Sequence, residues 1–210
     1  MREYVDLIAA NKKWAKSMVE KSPEFFTKNW ASQSPKFLWI GCADSRVPAE
    51  QITQLEPGHL FVHRNIANMV VHTDLNMLSV LQYAVEVLKI RHIIVCGHYN
   101  CGGVKAALTD NSLGLIDNWL RNIKDVYRFN KHELDNLKDE EKKLNKLIEL
   151  NVKEQVNNLA KTPIVQKQWS IDKAPYLHGW VYNMKDGLVN PVLDIEPGQK
   201  LSDDIYRYKF

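Results

Sequence analysis

Two short segments hold side chains whose types and spacing could do chemistry. The first is Gly41-Cys42-Ala43-Asp44-Ser45-Arg46, and the second is Cys96-Gly97-His98-Tyr99-Asn100-Cys101-Gly102-Gly103. Two cysteine thiolates and one imidazole make a zinc set, with a fourth position left for water or a carboxylate. Cys42, His98 and Cys101 are the candidate ligands. Taken alone, a His-x-x-Cys spacing is weak, and an isolated cysteine at the end of an apolar run is more often a small buried hydrophobe. Asp44, Arg46 and the paired glycines beside the ligands favour the metal reading. Cys96 is set apart, because it lies inside an apolar run and reads as core.

These residues converge only if the elements before them run side by side. Phe37-Leu38-Trp39-Ile40, ended by Gly41, and His92-Ile93-Ile94-Val95-Cys96, ended by Gly97, are short, continuously apolar and closed by turn residues. They read as buried strands, as does Leu60-Phe61-Val62-His63. A helix opens at Thr73-Asp74 and carries Leu75, Leu78, Val80, Leu81, Ala84, Val85 and Leu88 between the second and third strands. A crossover of that length implies parallel pairing. In an open parallel sheet, ligands collect outside the carboxyl ends of the strands, where both chemical segments emerge.

The rest of the chain frames this unit. Val5, Ile8, Ala9, Trp14 and Met18 give an N-terminal helical arm over residues 1–30. A second helix start is expected there at Ser22-Pro23-Glu24, with Ser22 as cap and Pro23 in the first turn. From Leu115 to Ala160 the chain reads as helix with a charged, solvated face around Lys138–Lys143. Its apolar positions Leu144, Leu147, Ile148, Leu150, Val152 and Val156 should pack on the sheet. A fourth strand is expected at Leu177–Asn183, turning through Lys185-Asp186-Gly187 into Leu188–Leu193. The fold class is therefore α/β, a mainly parallel sheet flanked by helices, with a helical C-terminal half and one domain over 1–210.

Composition limits the partners. The chain has 210 residues, 45% of them hydrophobic and 25% charged, the balance of a globular domain rather than a disordered one. Its 28 basic and 25 acidic residues leave a net charge of +3, too even to suggest nucleic acid. No apolar stretch reaches the roughly 18–20 residues of a membrane span. Three cysteines, and an N-terminus without a basic start or apolar core, point to a reducing compartment, the cytoplasm.

Cys42-x-Asp44-x-Arg46 followed by His98-x-x-Cys101 resembles the signature of the β-class carbonic anhydrases. The resemblance extends from the N-terminal helix to Gly179-Trp180-Val181-Tyr182. It implies one zinc ion per chain on Cys42, His98 and Cys101, and reversible hydration of carbon dioxide to bicarbonate and a proton. Zinc lowers the pKa of a bound water to about 7 in a carbonic anhydrase of a different, three-histidine class. Asp44 would then orient the resulting hydroxide, or occupy the fourth zinc position itself, and the planar fork of Arg46 would hold it away from the metal.

The resemblance also implies a substrate pocket of Gln33, Phe61, Ile66, Tyr83 and Gly102, built between subunits of a homodimer or a tetramer of dimers. Trp39, Arg64 and Tyr182 match a bacterial-type, closed-resting subgroup that binds bicarbonate at a non-catalytic site. The bland alternatives are sheet core for Trp39, an ion pair with an acid such as Glu50 for Arg64, and packing for Tyr182. Hydrolysis of carbon disulfide or carbonyl sulfide on the same fold is one competing reading. A non-catalytic zinc or redox regulator is the other.

Overall fold

The computed structural model describes residues 3–200 and 204–210. Met1, Arg2 and residues 201–203, which the expected arm and domain include, lie outside the described residues. The strands are β1 (Phe37–Cys42), β2 (Leu60–Asn65), β3 (His92–His98), β4 (Tyr176–Asn183) and β5 (Leu188–Ile195). They form one sheet in the order β2-β1-β3-β4-β5. The first four are parallel, and β5 returns antiparallel to β4 through the Lys185–Gly187 turn. The sheet is therefore mainly parallel, as the long crossovers require.

Nine α-helices accompany the sheet among the described residues: α1 (Tyr4–Lys21), α2 (Phe25–Trp30), α3 (Ala49–Thr53), α4 (Leu75–Gln82), α5 (Gly102–Ala107), α6 (Ile116–Phe129), α7 (Lys131–Asp135), α8 (Glu140–Ala160) and α9 (Pro163–Ile171). The side chain of Asp74 accepts the amides of Asn76 and Met77 and starts α4, while Asp139 accepts the amide of Lys142 and starts α8. On α8, the expected apolar stripe holds: Leu144, Leu147, Ile148, Val152 and Val156 are buried, and Leu150 packs against the same core.

Three local expectations change. The second helix starts at Phe25 rather than at Ser22-Pro23, because the Ser22 amide still closes α1 on the Met18 carbonyl at 2.9 Å. Ser22 is also extended, as the residue before a proline must tend to be. The run 115–160 divides into α6, α7 and α8, with breaks at Asn130 and over 136–139. Gly41 and Gly97 do not end their strands but lie inside them, which carries β1 to Cys42 and β3 to His98. Three helices were not foreseen, the short α3 and α5 and then α9, where Thr162 accepts the Val165 amide with Pro163 in the first turn.

The two sheet faces differ. Leu38, Ile40, Ile93, Val95, Leu177 and Val181 enter the large core that α4 to α9 cover. On the other face Trp39, Ile94 and Cys96 form a small cluster with Val47 and Ala49. In the N-terminal arm α1 contributes no buried residue, and Tyr4, Val5, Leu7, Ile8, Trp14 and Trp30 stand exposed.

Candidate zinc site

The site lies where the strand order reverses. From β1 the chain moves to β2 on one side and then to β3 on the other, so a crevice opens between the ends of β1 and β3. Cys42 closes β1, His98 closes β3, and Cys101 lies just before α5. Their ligand atoms all fall within 4.8 Å of one another, and the two sulfurs are 3.9 Å apart. This confirms the convergence expected from the sequence.

Each ligand arrives already oriented. The His98 ring is fully buried, and its Nδ1 lies 3.1 Å from the Tyr99 carbonyl oxygen, which fixes the proton on Nδ1. Nε2 is left with a lone pair and no hydrogen-bond partner. A buried polar atom without a partner is rare and asks for a ligand; a cation held with the two sulfurs would complete it. The thiols form a pair. At 3.9 Å the two sulfurs share one proton: their contact favours one thiolate, and that charge, with burial, holds the proton on the other. The second deprotonation thus needs a cation beside the sulfurs. Two thiolates and a neutral imidazole suit zinc, and zinc is the cofactor these residues fit.

Asp44 stands next to the cluster and outside it. Its Oδ2 is 3.7 Å from His98 Nε2. Arg46 grips both oxygens: Nε donates to Oδ1 at 2.9 Å, Nη2 to Oδ2 at 2.7 Å, and the Arg46 amide adds a third bond to Oδ1 at 3.0 Å. That bidentate guanidinium holds the Asp44 carboxyl well below the usual carboxylate range. Of the four candidate metal ligands, Asp44 is thus the one placed on Arg46.

The other candidate residues divide. Phe61 and Tyr83 meet with ring centroids 5.9 Å apart. Ile66 is 40% exposed and lies against Gly103, where an added Cβ would come within 2.7 Å of its Cγ2. A Cβ on Gly102 would meet nothing within 4 Å. Gln33 is exposed between α2 and β1. Trp39 is fully buried, and its Nε1 lacks a partner. Tyr182 packs in the same small cluster. Arg64 makes no pair with Glu50: its Nε donates to the Cys42 carbonyl at 2.9 Å and its Nη2 to the Asp44 carbonyl. Cys96 is buried in the small cluster, and burial pushes its thiol up.

Sequence reasoning missed Ala67, fully buried, whose carbonyl accepts from Asn151 Nδ2 at 3.2 Å. It follows β2 in a left-handed conformation, φ 63°, that no residue type announces. Trp119 was missed too; its Nε1 donates to the Ile66 carbonyl at 2.9 Å. Polar residues recurring on the apolar face of α8 were the available signal.

A family model described as carbonic anhydrase matches residues 37–189. A carbonic anhydrase of Emericella nidulans is 50% identical over 192 residues, covering 91% of this chain and 84% of that protein. A Coccomyxa β-carbonic anhydrase, solved in complex with acetazolamide, superposes with a TM-score of 0.88 at 40% identity, covering 93% of this chain and 89% of the other. A β-carbonic anhydrase from Sordaria macrospora, described as tetrameric, gives 0.88 at 36% identity, with coverages of 91% and 98%. Site, fold and relatives agree, and the chain belongs to the β-carbonic anhydrase family.

Proposed function

We propose that this enzyme catalyses the reversible hydration of carbon dioxide to bicarbonate and a proton, with zinc held by Cys42, His98 and Cys101. The carrying observation is a carboxylate gripped by Arg46 with one oxygen 3.7 Å from the unpartnered nitrogen of His98. When bound, zinc supplies a Lewis acid that makes water acidic near neutral pH. Asp44 accepts a hydrogen bond at Oδ2 from the attacking oxygen and turns its lone pair toward the carbon. Arg46 keeps that carboxylate ionised and turned from the sulfurs. Phe61, Ile66 and Tyr83 wall the approach with apolar surface, suited to a small neutral gas, and Gly102 leaves the space open. Gln33 donates its amide to bicarbonate.

Exposure of Gln33 and of the apolar arm supports a homo-oligomer, a dimer or a tetramer, in which a second copy completes the pocket. Free thiols 3.9 Å apart support a reducing compartment, the cytoplasm. No described helix is long and apolar enough to cross a membrane.

The regulatory reading rests on Trp39, Arg64 and Tyr182. An unpartnered indole N–H supplies a donor for bicarbonate on the face that carries Arg64. Arg64 also ties the carbonyls of Cys42 and Asp44, so an anion that recruits the guanidinium loosens the loop bearing Asp44. Bicarbonate and low pH would then favour exchange of Asp44 from Arg46 to the metal. Arg46 keeps Asp44 ionised through mild acid, so a loss of activity there would report that exchange rather than protonation of Asp44.

Stopped-flow hydration across pH, paired with zinc quantification, tests the activity. Asp44→Asn should keep zinc and lose roughly 10²–10⁴-fold in turnover, the usual range for a positioned acid–base group. A zinc-loaded wild-type protein inactive at alkaline pH would overturn the reading. Activity that falls with a shallow single-proton profile and ignores bicarbonate would remove the regulatory part.

A further inference from the structure

A second group of nitrogen and oxygen ligands stands at the other end of the sheet. His92 opens β3 and His98 closes it, so the two lie roughly 20 Å apart at the rise of a strand. His92 pairs with Tyr176 across β3 and β4, and His178 of β4 pairs with Asp194 of β5. These strands are neighbours in that order. His92, His178 and Asp194 therefore share one face of the sheet, set by the alternation of side chains along each strand.

Hydrogen bonds set the tautomers. His178 Nδ1 donates to Asp194 Oδ1 at 2.6 Å, which leaves His178 Nε2 with a lone pair. That lone pair faces His92 Nδ1 at 3.0 Å. Stacking holds the rings: His92 lies between Phe37 and Tyr176, with ring centroids 5.4 Å away on each side, and the His178 ring is 5.3 Å from it. A carboxylate behind an imidazole whose other nitrogen is free is the arrangement that orients a metal-ligating histidine. The nearby cation Arg91 is held by Asp172 at 3.2 Å, and the His178 side chain is 22% exposed, which gives an ion a way in.

The separation of the two nitrogens chooses among ions. Two imidazole nitrogens about 2.1 Å from one ion, at a right angle to each other, stand about 3.0 Å apart, whereas a tetrahedral ion parts them to about 3.3 Å. The observed 3.0 Å fits the right-angled case. Divalent nickel and copper adopt that geometry and favour imidazole. We propose that His92 Nδ1 and His178 Nε2, with Asp194 orienting His178, form a second metal site for such an ion, sharing no residue with the zinc site. On binding, the ion takes the place of the proton between the rings, and His92 carries that proton on Nε2 instead. Both imidazoles stay neutral, and the Asp194 carboxylate balances part of the ion's charge. Water fills the remaining positions. Because the nitrogens come from β3 and β4, a bound ion also clips these strands together and stabilises the folded chain.

Equilibrium dialysis of the untagged, zinc-loaded protein against nickel(II) chloride, with metal analysis and thermal melts, tests it. The wild type should take up one nickel per chain beyond its zinc and melt at a higher temperature with nickel than without. His178→Gln and His92→Phe should each keep zinc and lose both the nickel and the shift. Asp194→Asn changes an exposed carboxylate and so spares the fold; it should weaken nickel binding by about 10–100-fold. His132→Gln, on α7 and outside the group, should bind nickel as the wild type does. The proposal fails if the wild type binds no nickel at millimolar concentration, or if nickel enters only as zinc leaves. It fails equally if His178→Gln and Asp194→Asn both bind nickel with wild-type affinity.

Discussion

Trp39 and Cys42 lie three residues apart on β1 and point to opposite faces of the sheet, into different environments. Cys42 belongs to the large core with Leu38 and Ile40, beneath α4 to α9. That face is apolar and closely packed, and among the polar groups it admits, Asn151, Gln155 and Asn158 of α8 are hydrogen-bonded to one another and to the Ala67 and Val70 backbone. Trp39 belongs to a cluster of five buried residues, flanked by Arg64, and keeps an unpartnered indole N–H. Farther along the same face His92 stacks between Phe37 and Tyr176 and meets His178 at 3.0 Å, which meets Asp194 at 2.6 Å. One face therefore fixes the two cysteine ligands by close packing. The other keeps polar groups within reach of an anion. The two meet at the carboxyl ends of β1 and β3, where Asp44 can answer to both.

The largest expected effect sets those two residues against each other. Cys42→Ala should abolish stoichiometric zinc and carbon dioxide hydration together, because a thiolate of the cluster is gone. Trp39→Phe removes the indole N–H while keeping an aromatic ring, so zinc and turnover should persist while bicarbonate inhibition weakens. Equal loss of zinc in both, read by metal analysis, would erase the distinction between the faces.

Stability should follow the same division. Leu147→Ala, fully buried under the sheet, should cost about 2–5 kcal/mol in denaturant unfolding. Val62→Ala, half-buried on the other face, should cost about 1 kcal/mol. The strand glycines give a finer comparison. A Cβ on Gly97 would come within 2.6 Å of Val152 Cγ2, and one on Gly41 within 2.2 Å of Trp39 Nε1. Each alanine substitution should cost roughly 1–3 kcal/mol. Only Gly41→Ala should also change bicarbonate inhibition, since only it displaces the indole.

The smallest effect concerns acid. Burial, together with the neighbouring His178 and Arg91, holds His92 below its usual value. Above about pH 6.5 it is neutral in both folded and unfolded chains and contributes no pH dependence. As pH falls below that, the unfolded chain takes up the proton first, so the folded state loses stability. His92→Phe should therefore lessen the fall in melting temperature between pH 7 and pH 5. An unchanged slope would assign that fall to other groups, His63 being the next one held down by burial.

The central sheet was legible because its strands are continuous apolar runs closed by turn residues, and parallel pairing follows from the crossover lengths. The zinc cluster was legible because Cys42, His98 and Cys101 all end or follow such strands. Other features were not. Ser22-Pro23 carries a sound helix-start signal, yet the Ser22 amide was already committed to the Met18 carbonyl. Arg64 could have sought an acid, but the carbonyls of Cys42 and Asp44 lay nearer in the folded chain.

By itself the sequence determined which side chains could bind metal and which strands would carry them to one sheet edge. Residue type sets ligand chemistry, and hydrophobic periodicity sets the elements. Tertiary structure alone decided that Asp44 lies on Arg46, that Nε2 is the nitrogen His98 offers, and that Arg64 ties the carbonyls of Cys42 and Asp44. Such contacts join backbone groups to side chains 22 to 84 positions away in the chain, and every residue carries the same carbonyl. Only packing chooses among identical acceptors.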